Sequence, residues 1–107
     1  MDLITLFSST TPLFTALGDP QRQAIIIALA KLKRAGVNDL TQHVAVSRPA
    51  VSHHLKILRE VGLVRFEAVG RERIYSLDLI EGVAQIKQLI TAIEQCDSYQ
   101  AKVVRYK

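Results

Sequence analysis

The stretch VSRPAVSHHLKILREVGL, residues 46–63, concentrates the side chains with usable chemistry. Val51, Leu55 and Leu58 recur at helical spacing and Val61 continues the row, so these residues form one face of a helix. Arg48, Ser52, His53, Lys56 and Arg59 fall on the opposite face, with no acid between Arg48 and Arg59. Guanidinium, ammonium, hydroxyl and imidazole groups arranged this way hydrogen-bond to base edges, and the DNA major groove admits an α-helix. Ser47, beside the free N–H groups of the helix start, suits a phosphate oxygen. His54 borders the apolar side and reads as a packed histidine bonded within the fold, whereas His53 points outward, to a groove or to solvent. Downstream, Gly70, Arg71 and Arg73 set two guanidinium groups at a loop tip, where they can reach phosphates or a minor groove. Alone they would read as a solvated turn; together with the helix they favour DNA.

Other chemistries lack their residues. No Ser/His/Asp set, glycine-rich phosphate loop or paired-carboxylate constellation can be drawn, so no enzymatic activity and no cofactor are expected. Cys96 is the only cysteine, which rules out an intrachain disulfide or a multi-cysteine metal cage. It is either an ordinary residue near a helix end or a disulfide partner for a second chain. His43 has no companion at metal-ligand spacing and reads as surface.

The elements that must position these residues follow from local signals. Leu3, Leu6, Phe7, Leu13, Phe14 and Leu17 are apolar at helical spacing, with STTP predicting an interruption in which Thr11 caps a new turn and Pro12 starts it. In GDP, Gly18 closes one helix, Asp19 caps the next and Pro20 opens it. From Gln21 to Arg34, Ile25, Ile26, Ile27, Leu29 and Leu32 cover most of a helix, predicting burial nearly all round. Asn38 is expected to cap a short helix through Val44, with AVS (residues 45–47) as the turn. Ser47 then caps the opening helix, Pro49 fits its first turn and Gly62 ends it. Two β-rich runs around Gly70 predict a hairpin. From Leu79 to about Tyr99, the stripe Val83, Ile86, Ile90 and Ile93 predicts an amphipathic helix able to pair with another. Residues 98–107 form a basic tail, either a fraying helix end or a mobile arm. The expected class is mainly α with a β-hairpin wing (α+β), a winged helix-turn-helix in the order α-α-α-α-β-β-α.

The chain of 107 residues is 49% hydrophobic and 22% charged, the balance of one ordered globular domain spanning 1–107. Its formal net charge is +4, and residues 48–73 hold six Arg/Lys against three Glu. That surplus suits an acidic partner such as nucleic acid, or simply keeps a soluble protein dispersed. The longest apolar run, residues 24–30, is too short to span a membrane, and the first residues lack a secretory pattern. A cytoplasmic location without membrane contact is expected.

The segments LFTALGDPQRQAIIIAL, DLTQHVAVSRPAVSHHLKILREVGLV and GRERIYSLD resemble, in that order and spacing, the ArsR/SmtB family of winged-helix repressors, over about residues 3–96. The resemblance implies a homodimeric transcriptional repressor on double-stranded DNA with an inverted-repeat operator. The helix from Ser47 would be the recognition helix and Gly70–Arg73 the wing, with Ser52 and His53 at positions that touch DNA in members reading VSHQLK. It also implies a dimer built from the first and last helices, here Leu3, Leu6, Phe7 and Leu13 with Val83, Ile86, Ile90 and Ile93. The family's metal sites are not matched. Where members read ELCVCDL this chain reads RAGVNDL, with Gly36 and Asn38 at the cysteine positions. The four ligand positions of the last helix are Leu79, Glu81, Ala92 and Gln95, with Asp78 one residue early. No metal site is therefore expected, and the inducer stays open. The rival expectation is a winged-helix module that binds protein and does not bind DNA specifically.

Overall fold

The computed structural model describes residues 2–96. The elements are α1 (Leu3–Leu17), α2 (Pro20–Leu32), α3 (Val37–Thr41), α4 (Arg48–Glu60), β1 (Val64–Val69), β2 (Glu72–Leu77) and α5 (Ile80–Glu94). This is the mainly helical order with one antiparallel hairpin that the sequence predicts. The 98–107 tail and the expected run of the last helix to Tyr99 lie outside the described residues.

The predicted break at STTP is absent: α1 passes through Pro12 as one helix. Its buried residues, Leu6, Thr10, Leu13 and Ala16, form a single stripe on both sides of the proline. Burial of the large ones at about 1.5–3 kcal/mol each outweighs an interior proline's cost of about 3 kcal/mol. The turn before Pro12 also carries hydroxyls that bond back to the helix. Thr10 Oγ1 donates to the Leu6 carbonyl at 2.6 Å, and Thr11 Oγ1 to that of Phe7 at 2.7 Å. Thr11 thus bonds backward instead of capping a new turn.

Asp19 caps α2, its Oδ1 accepting from Gln21 N at 2.7 Å and Arg22 N at 3.2 Å. Ile25, Ala28 and Leu29 are buried, but Ile27 is 55% exposed; α2 is central on one face only, not nearly all round. It stops at Leu32, short of the predicted Arg34, because Lys33 takes φ +70°. That turn lets Ala35 pair with Tyr75 through bonds of 3.0 and 2.8 Å, extending the hairpin by one bridge.

The cap of α3 is Gly36, not Asn38, and Asp39 Oδ2 accepts from the Gly36 N–H at 3.2 Å. The helix ends at Thr41 rather than Val44, so the turn before α4 runs over residues 42–47. Val44 and Val46 pack against the core from this turn, which helical phase would not allow both to do. For α4 the sequence expectation holds: Ser47 caps it, and Val51, Leu55 and Leu58 are fully buried. It closes with Gly62 at φ +77°, the Leu63 N–H reaching the Leu58 carbonyl at 2.9 Å and the Gly62 N–H that of Arg59 at 3.0 Å. That closure delivers Leu63 and Val64 into the core and starts the hairpin in fixed register, Val64 opposite Leu77 through Val69 opposite Glu72. Gly70, at φ +62°, forms the tip.

On α5 the single apolar stripe divides. Gly82 and Leu89 are the buried positions, with Ile86 and Ile93 half-buried beside them. A Cβ on Gly82 would lie 2.8 Å from Leu63 Cδ2, so glycine permits this close approach of α5 to the domain. Val83 and Ile90 face outward, 45% and 49% exposed. No helix among the described residues is long and apolar enough to cross a membrane.

Candidate nucleic-acid interface

One cleft gathers the basic side chains. It has a volume of about 380 Å³ and is lined by Arg48, Ser52, Lys56 and Arg59 of α4, and by Arg71, Arg73 and Glu72 from the wing. Gly36, Val37 and Asn38 close it at the start of α3, with Tyr75 at its base. Six of the expected site residues therefore meet around one space. Ser47, His53 and Gly70 are exposed but lie outside that lining: Ser47 caps α4, its Oγ accepting from Ala50 N at 3.4 Å, and Gly70 shapes the turn.

The sequence reading missed what holds two of these arginines. The Phe66 ring on β1 is approached by the guanidinium of Arg59 at 5.1 Å and by that of Arg73 at 4.5 Å, measured to its centroid. Its other neighbour is the Tyr75 ring at 5.6 Å. Arg59 belongs to α4 and Arg73 to β2, so one aromatic ring ties helix and wing together by cation–π contact. The signal was present as an aromatic residue in a half-exposed strand, but only the hairpin register brings Arg73 to it and only the packing of α4 on β1 brings Arg59. Arg34 pairs with Glu67 at 3.1 Å; both side chains are exposed, and such pairs contribute little.

His54 is bonded within the fold, as expected, and its partner is Arg22, another residue the sequence reading passed over. Arg22 is 9% exposed. Its Nε donates to the Ala16 carbonyl at 2.8 Å and its Nη2 to that of Thr15 at 3.1 Å, satisfying the free end of α1. The Arg22 backbone N–H, ahead of that of Gln21 and the guanidinium charge, holds the Asp19 carboxyl below the usual carboxylate range.

The residues expected at a dimer interface do not share one environment. Leu6 and Leu13 are already buried inside the protomer at 4% and 2%, and Leu3 is half-buried. Phe7, Val83 and Ile90 are exposed. Leu79, Ile80, Val83, Ala84 and Lys87 line one surface patch at the start of α5, of which the sequence reading placed Leu79 and Val83 on the apolar stripe and only Val83 at the interface. His43 is exposed and Cys96 half-buried.

Four helices, a turn before the cationic helix and a hairpin directly after it define a winged helix-turn-helix protein. Residues 19–65 match the family described as bacterial regulatory protein, arsR family. A transcriptional repressor SmtB homolog of Synechocystis is 47% identical over 64 residues, 60% of this chain and 48% of that protein. The HTH-type transcriptional regulator Rv2034 of Mycobacterium tuberculosis is 40% identical over 75 residues, 70% of this chain and 69% of its own. An ArsR-like transcriptional regulator from Rhodococcus superposes with a TM-score of 0.81 at 26% identity, covering 96% of this chain and 94% of that one. The chain belongs to the ArsR family of transcriptional regulators. It spans about half the length of the SmtB relatives it matches.

Proposed function

We propose that the chain acts as a homodimeric repressor in the cytoplasm, binding an inverted-repeat operator through α4 and the wing without either metal site usual in the family. One observation carries the reading: Arg48, Lys56, Arg59, Arg71 and Arg73 converge on a single cleft opposed by one acid, Glu72. A solvated surface has no need to collect like charges, which repel each other until an anion arrives. Phosphates satisfy the arginines and lysine, while Ser52 and Arg48 on the exposed face of α4 reach base edges. His53, outside the cleft on the same helix, joins that readout.

The outward faces of α1 and α5 support a second copy as partner. Ile4 is 81% exposed and Ile80 80%, and Phe7, Phe14, Val83 and Ile90 are each between 43% and 49% exposed. So many large apolar groups on two contacting helices form a patch of the kind that marks an interface. A closed dimer would present two recognition helices to half-sites about one turn of DNA, roughly 10 bp, or a small multiple apart.

The residues do not fit the family's metals. Gly36 and Asn38 offer no thiolate, and Leu79, Ala92 and Gln95 leave Glu81 as the one ligand among the four last-helix positions, where a first-row ion needs three or four N, O or S ligands. Selection of duplexes from a random pool, followed by binding titrations against rising salt, tests the reading. Enrichment of an inverted repeat is the expected result; salt-labile retention with no enriched sequence would leave only a cationic interaction module.

A further inference from the structure

Arg22 and His54 meet where three helices converge. Arg22 rises from the first turn of α2, bonds the last carbonyls of α1 through Nε and Nη2, and brings Nη1 to 3.3 Å from His54 Nδ1 on α4. A guanidinium has donors and no acceptor, so His54 Nδ1 must accept and the ring proton resides on Nε2. The contact thus exists for one protonation state and one tautomer of His54. From α2 the ionisable groups facing the ring are Arg22 and Asp19, and from α4 His53, whose ring centroid is 5.9 Å away. Helix α1 carries no ionisable side chain, and its Thr15 and Ala16 carbonyls both accept from Arg22.

We infer that Arg22 is a positioning residue for the recognition helix, acting through neutral His54, and that sequence-specific DNA binding weakens when His54 takes up a proton. This rests on the reading of α4 as the helix that enters DNA. With Nδ1 protonated, two cationic donors face each other across 3.3 Å and the bond is broken. Asp19 Oδ2 lies 3.7 Å from Arg22 Nη1; its carboxyl, held below the usual range, stays ionised while imidazoles titrate and is not the switching group. A protonated ring can no longer accept from Arg22, so α4 loses this contact with the start of α2 and keeps its buried apolar anchors, Val51, Leu55 and Leu58. The sign is diagnostic. An added positive charge on this face by itself strengthens binding to any DNA, whereas release of the tether lowers discrimination between sequences.

The test uses the full chain, a duplex enriched from a random pool at neutral pH, and a scrambled duplex of equal length, with fluorescence anisotropy at constant ionic strength. For the wild type, the ratio of the two affinities should fall about fivefold or more between about pH 8 and about pH 5.5, the window in which histidines titrate. His54→Gln keeps an acceptor for Arg22 and cannot take a proton, so its ratio should stay flat, while His53→Gln should follow the wild type. A flat wild-type ratio, or an equal fall in His54→Gln, overturns the inference. Nitrogen-15 spectra of the imidazoles read the contact without DNA. An unprotonated Nδ1 on His54 at neutral pH supports it, and an Nδ1–H tautomer overturns it. Should the pool yield no enriched duplex, the DNA reading fails separately. Amide exchange along α4 then decides the tether, faster exchange on His54 protonation supporting it and unchanged exchange overturning it.

Discussion

At the scale of single residues, side chains on one cleft divide by what they can report. The Lys56 ammonium and the Arg71 guanidinium are both suited to phosphate, so Lys56→Ala and Arg71→Ala should weaken binding to every sequence alike. Each should also flatten the plot of log affinity against log salt by about one unit for each phosphate no longer neutralised; an unchanged slope would show that the residue does not touch the DNA backbone. Phe66 makes a different prediction. Phe66→Leu keeps most of the apolar bulk but removes the face under Arg59 and Arg73, two interactions of about 0.5–1 kcal/mol each. The variant should fold and bind up to about thirtyfold more weakly, as read by titration of the selected duplex. Tighter binding would mean that both arginines leave the ring in the complex. The basic residues were legible because charge on one helical face is a periodic signal. Arg22 and Phe66 were not, since each acts through a partner brought close by tertiary packing: His54 lies 32 positions from Arg22, and Arg59 and Arg73 flank Phe66 from separate elements.

At the scale of elements, local signals succeeded where the chain makes its own stop and failed where packing decides. Asp19–Pro20, Ser47–Pro49 and the Gly62 closure each satisfy free backbone groups with neighbouring residues, so α2 and α4 began, and α4 ended, as read. Pro12 is the counterexample. Its local meaning is a helix start, yet Leu6, Thr10, Leu13 and Ala16 need one unbroken stripe against the core. Asn38 failed for a related reason: Asp39 can cap from inside the helix by reaching back to Gly36 N, moving the boundary two residues. The retained proline gives a stability prediction. Pro12 is exposed, and Pro12→Ala restores the N–H that the Ser8 carbonyl lacks. Helix propensity favours the alanine by about 3 kcal/mol, offset by about 0.4–1 kcal/mol through the freer unfolded chain. Since α1 has already adapted to the proline, a net gain of about 1–2 kcal/mol is expected, raising Tm by several degrees at fixed protein concentration. A Tm at or below wild type would show that the helix needs its proline.

For the whole molecule, the division of α5 into an inner and an outer face bears on the proposed dimer and on the proposed release from DNA. The spacing Val83, Ile86, Ile90, Ile93 read as one seam, because periodicity cannot say which neighbour covers each side. The inner side, with Gly82 and Leu89, packs on the domain; Val83 and Ile90, with Leu79 and Ile80, stay exposed and are the surface the proposed dimer would cover. Ile90→Glu should therefore give a folded monomer by sedimentation, with unchanged helical circular dichroism, since an unpaired charge is costly only once a partner buries it. A wild-type monomer at micromolar concentration would refute the dimer directly. The release signal follows from the same faces. An inducer acts only through differential affinity for the free and DNA-bound states, and a metal inducer needs a site that reports on one of them. Gly36 and Asn38 line the basic cleft as small neutral residues, and Leu79 lies in the apolar patch at the start of α5. Zn²⁺, Cd²⁺, Co²⁺ and arsenite added at one equivalent per subunit should thus leave the protein on its selected duplex, as followed by anisotropy. Higher concentrations can block binding through His53 on the DNA face, so stoichiometry is the criterion. Release at one equivalent, abolished in Glu81→Ala but kept in His53→Ala, would reveal a metal site on the last helix and overturn the assignment.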